Sequence, residues 1–164
     1  FYTGMWNQDD ITTDHKILLL TALDTCYERY IRQIRPPFVS DEQESMLFER
    51  METKFSGKEE VQREGKLFLT TDDGTINISG KCDVMKNDCI YELKFVSEVQ
   101  HEHFLQLAMY LLMFQKKKGF LWNVKNNEFF EVTIPAKTQK KFVNAVVKAI
   151  TKGTIGKCTL KYAS

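Results

Sequence analysis

Along residues 13–34 the apolar side chains Ile17, Leu20, Leu23, Tyr27, Tyr30, Ile31 and Ile34 return every three or four positions, the period of one helix face, and Pro36-Pro37 stops the run. A second helix is predicted from Ser40, where Ser40 and Gln43 stand at capping-box spacing, with Met46, Leu47, Met51 and Phe55 as buried positions before Gly57. The period then changes. Residues 66–70 and 75–79 read as strands joined by Asp72-Asp73-Gly74, and residues 81–86 and 89–96 as two more. Residues 98–118 form a helix that is apolar nearly all round, through Phe104, Leu105, Leu107, Ala108, Met109, Leu111, Leu112 and Phe114, as expected of one buried against a sheet. Residues 119–124 and 128–134 are strands around Asn126-Asn127, and Pro135 opens a helix carrying Phe142, Val143, Val146, Val147 and Ile150 that Gly153 ends. The tail beyond Gly153 is too short to assign. Helices, then antiparallel strands, then a helix crossing back to another strand define an α/β fold with a mixed central sheet flanked by helices.

The tight turn at Asn87-Asp88 sets a register with chemical consequences. If these two residues form a hairpin loop, Lys86 pairs with Cys89, and counting outward puts Asp83 directly opposite Glu92. Directly opposed side chains on antiparallel strands have Cβ atoms roughly 4.5–5.5 Å apart, so the two carboxylates repel unless a cation lies between them. Lys94 lies two residues beyond Glu92 and shares its face. Hard oxygen ligands favour Mg²⁺ or Mn²⁺ over zinc, and Mg²⁺ is commonly held by one or two carboxylates while a substrate phosphate completes its shell. A neighbouring ammonium can orient water or stabilise charge on that phosphate. Such a patch suits hydrolysis of phosphodiesters.

Asp83, Glu92-Leu93-Lys94 and Gln106-Leu-Ala-Met-Tyr110 together resemble the PD-(D/E)XK nuclease superfamily, in particular its RecB-like branch, whose third motif is a helical Gln-x-x-x-Tyr. The resemblance spans roughly residues 64–135. Other acid-x-Lys triplets, such as Asp14-His-Lys16 and Glu64-Gly-Lys66, neither follow an Asp-bearing strand across a tight turn nor precede such a helix. The resemblance implies a restriction-endonuclease-like αβββαβ core. It also implies a Mg²⁺ or Mn²⁺ ion ligated by Asp83 and Glu92 with the Leu93 carbonyl, attacking water positioned by Lys94, and a cleft lined by Gln106 and Tyr110. Glu64 is either a further metal ligand or a surface acid, and Lys81 either touches phosphate or neutralises the acids. His15 is either a ligand on the first helix or a solvated first-turn residue; His101 and His103 have no metal-ligand partners at recognisable spacing. DNA is the favoured substrate, with RNA cleavage or a nucleic-acid-binding module without turnover as alternatives. Exonuclease and endonuclease action stay open, as do fused or associated replication, repair or recombination domains.

Composition narrows this little. With 164 residues, 43% apolar and 27% charged, the chain fits one domain, helical over about residues 1–62 and with its nuclease core over about 63–152. Charge is uneven: residues 1–82 carry 10 Lys+Arg against 15 Asp+Glu, and residues 83–164 carry 13 against 7. Every basic residue after Asp83 is a lysine, including Lys116-Lys117-Lys118 and Lys140-Lys141, which suits contact with phosphates as well as it suits a solvated surface. Cys26, Cys82, Cys89 and Cys158 lack any C-x-x-C spacing, so neither a zinc site nor the iron–sulfur cluster of some RecB-like enzymes is expected, and reduced thiols fit an intracellular setting. No apolar run is long enough to span a membrane, and with Phe1 rather than an initiator Met at the start a fragment of a longer protein is expected.

Overall fold

The computed structural model describes residues 40–162; the helix expected over residues 13–34, with His15 and Cys26, lies outside them. The chain divides into two compact units, Phe1–Met51 and Glu52–Ser164. The described part of the first is residues 40–51, most of helix α1 (Asp41–Lys54). Its start is the expected capping box: the Gln43 amide donates to Ser40 Oγ at 3.2 Å and the Ser40 amide to Gln43 Oε1 at 3.1 Å. Contrary to expectation, α1 buries none of its residues, and Met46, Leu47 and Met51 are half-buried. Charges at Glu44, Glu49, Arg50 and Glu52 interleave with them and leave no wide apolar stripe.

The second unit is built on β1 (Glu60–Thr71), β2 (Gly74–Lys86), β3 (Cys89–Lys94), α2 (His101–Met113), β4 (Lys118–Asn123), β5 (Glu128–Thr133), α3 (Ala136–Ile150) and β6 (Thr159–Tyr162). The strands form one sheet in the order β5-β4-β3-β2-β1-β6. Neighbours are antiparallel except β3 and β4, which run parallel because α2 carries the chain back between them. This is the mixed α/β architecture expected. The four residues of β6, unassigned from sequence, extend the sheet beyond β1.

Two strand bounds differ from expectation: residues 75–79 and 81–86 belong to the single strand β2, and β1 begins at Glu60 rather than at residue 66. Gly80, read as a break, is paired with Gly65 in mid-ladder. Both glycines serve helix packing. A Cβ on Gly80 would lie 2.6 Å from Tyr110 Cε1, and one on Gly65 would lie 2.7 Å from Met113 Sδ. Gly80→Ala must therefore push the buried Tyr110 ring aside, an overpacking change of roughly 1–3 kcal/mol that a lowered chemical-denaturation midpoint should register. An unchanged midpoint would mean that the ring yields freely.

Helix α2 stops at Met113, short of residue 118. Gln115 adopts φ 54° and the Lys116 amide donates to the Leu111 carbonyl at 2.8 Å, a left-handed helix end made without glycine, so the sequence carries no stop signal there. Leu107, Leu111 and Leu112 of α2 pack with Leu67, Leu69, Ile90 and Leu121 of the sheet and Val143 and Val147 of α3 to form the core. A separate aromatic layer joins Phe55, Tyr91, Phe120 and Phe129, with Phe120 and Phe129 stacked at 4.9 Å and Phe55 edge-on to Tyr91 at 5.3 Å.

Candidate active site

The β2–β3 turn is the two-residue hairpin expected. Asn87 and Asp88 have φ of 50° and 63°, left-handed conformations that these residue types tolerate, and the ladder reads Lys86↔Cys89, Met85↔Ile90, Val84↔Tyr91. One step further, regular pairing gives way to a side-chain contact: the Leu93 amide donates to Asp83 Oδ2 at 2.8 Å. Asp83 is thereby tied to the strand that carries Glu92.

Glu92 is 2% exposed. Its Oε1 accepts from the Lys94 ammonium at 2.7 Å, whereas its Oε2 is buried and has no hydrogen-bond partner among the described residues. Lys94 donates also to Gln106 Oε1 at 2.9 Å, and the Gln106 amide donates to the Tyr110 hydroxyl at 3.1 Å. A continuous relay thus runs from Glu92 through Lys94 and Gln106 to Tyr110. Gln106 reaches the lysine and Tyr110 reaches Gln106, since the two helical residues stand four apart on one face of α2, and Tyr110 fits because Gly80 leaves room for its ring.

Burial, and then the nearby Asp83 charge, push the Glu92 carboxyl up to about 7; the Lys94 ammonium, and more weakly the nearby Asp83 backbone amide, pull the other way without offsetting them. Burial also raises Tyr110, with the Gln106 bond opposing it, so the phenol keeps its proton at neutral pH. Cys82, near the acids, is pushed up to about 11 by burial first and the Glu92 charge second, which leaves a thiol and no nucleophile.

An unpartnered buried carboxylate oxygen is costly in isolation and is satisfied by a cation. Glu92 Oε2, with Asp83 close by, supplies the hard oxygen donors that Mg²⁺ or Mn²⁺ takes, so the residues present fit such an ion. No group of three or more His, Cys, Asp or Glu side chains arranged for a metal occurs among the described residues.

The other candidates lie apart from this relay. Glu64 pairs with Lys81 at 3.2 Å and is 78% exposed, so the two charges meet at the surface. His101 is exposed, and His103 Nδ1 accepts from the Gln100 amide at 2.9 Å, which makes His103 a helix cap. Lys116 is held by Asp88, and Lys118 by Glu131 at 3.6 Å, while Lys117 is exposed. One residue that the sequence did not single out does reach the acids: Gln62 Nε2 donates to Asp83 Oδ1 at 3.3 Å. Nothing in the polar run Glu60-Val-Gln-Arg-Glu64 distinguishes it.

A mixed sheet with α2 crossing between parallel β3 and β4, and with acids and a lysine grouped on the β2–β3 pair, defines a restriction-endonuclease-like fold. The chain belongs to the PD-(D/E)XK nuclease superfamily, whose family profile matches residues 41–134. The fold is similar to that in the crystal structure of SSO0001, at 20% identity and a TM-score of 0.51, over 81% of this chain and 69% of that one. No curated protein matches.

Proposed function

We propose that the protein is a metal-dependent nuclease of the RecB-like branch that hydrolyses nucleic-acid phosphodiester bonds, with DNA as its substrate. The observation that carries this reading is the orphaned oxygen of Glu92: a buried carboxylate beside Asp83, with one oxygen held by Lys94 and the other without a partner. Asp83, Glu92 and the Leu93 carbonyl are the donors that would hold Mg²⁺ or Mn²⁺. Such an ion, when bound, polarises a phosphoryl oxygen and lowers the pKa of coordinated water. Lys94 has no lone pair with which to ligate a cation, so its ammonium orients the attacking water and meets charge developing on the phosphate. Gln106 fixes that ammonium from the helix side and Tyr110 fixes Gln106, which supports the RecB-like reading of this pair. Glu64, paired with Lys81 at the surface, is a further carboxylate on the neighbouring strand.

The lysine-rich half supplies salt-sensitive affinity for the phosphate backbone. Lys116 and Lys118 already face carboxylates, so Lys117 is expected to contribute most of that run's effect. Lys117→Ala should reduce the slope of log affinity against log salt by about one unit. The same slope in the variant would return the run to an ordinary solvated surface.

Digestion of end-labelled and circular single- and double-stranded DNA and RNA in Mg²⁺ or Mn²⁺ tests the assignment. Cleavage of DNA in preference to RNA is expected. Cleavage of RNA alone would move the activity to an RNA endonuclease, and binding without cleavage would make the chain a recognition module. Cutting of a closed circle would exclude a purely exonucleolytic enzyme.

A further inference from the structure

We infer that Gln62 is a positioning residue for Asp83, acting through a local break in the β1–β2 ladder; this rests on the proposed role of Asp83 as a metal ligand. Gln62 has φ 52°. Among the described non-glycine residues with positive φ, Asn87, Asp88 and Asn127 are in hairpin turns and Gln115 and Lys152 follow helices, whereas Gln62 lies inside a strand. A left-handed non-glycine residue is disfavoured by roughly 1–2 kcal/mol, and such strain inside a regular element points to a local requirement.

The pairing shows what is displaced. Val61↔Val84 and Arg63↔Cys82 pair in one continuous register, and the pair between them, Gln62 with Asp83, drops out of the ladder. Its effect on β2 is visible in the core. Cys82 and Met85 are an odd number of residues apart, which in a regular pleat puts them on opposite faces, yet both pack into the same core. The strand therefore turns about its axis between them, and Asp83 stands at that turn. A bulge-like distortion of this kind re-aims a side chain without changing the register on either side.

Asp83 is then anchored from both strands. The Leu93 amide of β3 holds Oδ2 at 2.8 Å, and the Gln62 amide of β1 holds Oδ1 at 3.3 Å. Both bonds fix the plane of the carboxylate, and because an ionised carboxylate has about four lone-pair sites, both leave oxygen free to ligate. The left-handed backbone of Gln62 is what brings the amide of an otherwise solvated side chain to this position.

Gln62→Gly separates backbone from side chain, since glycine adopts the same φ without strain while the amide is lost. Outer partners of metal ligands typically contribute 10–100-fold to affinity or activity. The Gly variant should therefore bind Mn²⁺ about tenfold more weakly by calorimetry, a readout that needs no substrate, and lower kcat on DNA with KM unchanged and an unfolding midpoint no lower than that of the parent. Parental Mn²⁺ affinity and kcat in the variant would overturn the inference. So would a raised KM with unchanged Mn²⁺ affinity, which would place the amide on the nucleic acid. Asp83→Ala, titrated in parallel, separates the two layers: if it binds Mn²⁺ like the parent, the metal-site reading itself fails. If Asp83→Ala loses Mn²⁺ while Gln62→Gly keeps it, only the role of Gln62 falls.

Discussion

Lys94→Ala should cleave nucleic acid 10²–10³-fold more slowly than the parent, a loss of roughly 3–4 kcal/mol of transition-state stabilisation, and should bind Mn²⁺ at least as tightly. The two halves of that result come from one geometry. The ammonium lies 2.7 Å from Glu92 Oε1 and 2.9 Å from Gln106 Oε1, so it is fixed beside the acids while being unable to ligate a cation. Removing it takes a competing positive charge away from Glu92 and leaves the carboxylate more available to a metal. Lys86 would be a poor control for this experiment, because it holds the Lys54 carbonyl and pairs with Glu59 at 3.3 Å. Cleavage by Lys94→Ala at the parental rate would remove the lysine from the chemistry.

Glu92→Gln should stabilise the metal-free protein at pH 8 while abolishing cleavage. In the fold the carboxyl is raised from an ordinary 4.5 to about 7, so the folded chain keeps this proton over a pH range in which the unfolded chain has lost it. The stabilising contribution is fully present below about pH 4.5, declines as pH rises through 7, and is absent above it, where a buried charge must be carried. A shift of this size corresponds to about 3 kcal/mol as an order of magnitude. Stability of the metal-free parent should therefore fall between pH 5 and pH 8, and the Gln variant should lack that component of the slope. Mn²⁺, which takes the ionised carboxylate, should restore the parent at pH 8 and do little for the variant. Identical pH profiles for the two proteins would show that Glu92 is ionised without penalty and that its isolation is not functional strain.

Much of this site was legible in the sequence because it rests on local geometry. The Asn87-Asp88 turn fixes a two-residue loop, and counting from it carries Asp83, Glu92 and Lys94 to one end of the β2–β3 pair, but the directly opposed Asp83–Glu92 pair is not in the ladder, which stops at Val84↔Tyr91 and leaves Asp83 to the Leu93 amide. Gln106 and Tyr110 follow from helical spacing in the same way. What could not be read depends on tertiary contacts. Gly80 resembles a strand break in sequence, yet it runs through the ladder because Tyr110 occupies the space that a side chain would fill. The end of α2 at Met113 uses a left-handed Gln115 where pattern rules expect glycine. Glu64 was placed near the acids by resemblance, and its cross-strand partner is Lys81, which meets its charge at the surface. Gln62 stayed hidden because a polar residue in a polar run gives no sign of its backbone conformation.

The most direct test is calorimetric titration of Mn²⁺ into the metal-free protein and into the Asp83→Ala/Glu92→Ala double variant at pH 8. The parent should bind the ion at a site that the double variant has lost. Equal affinity in the two proteins would place any metal elsewhere and contradict the assignment of Asp83 and Glu92 as its ligands.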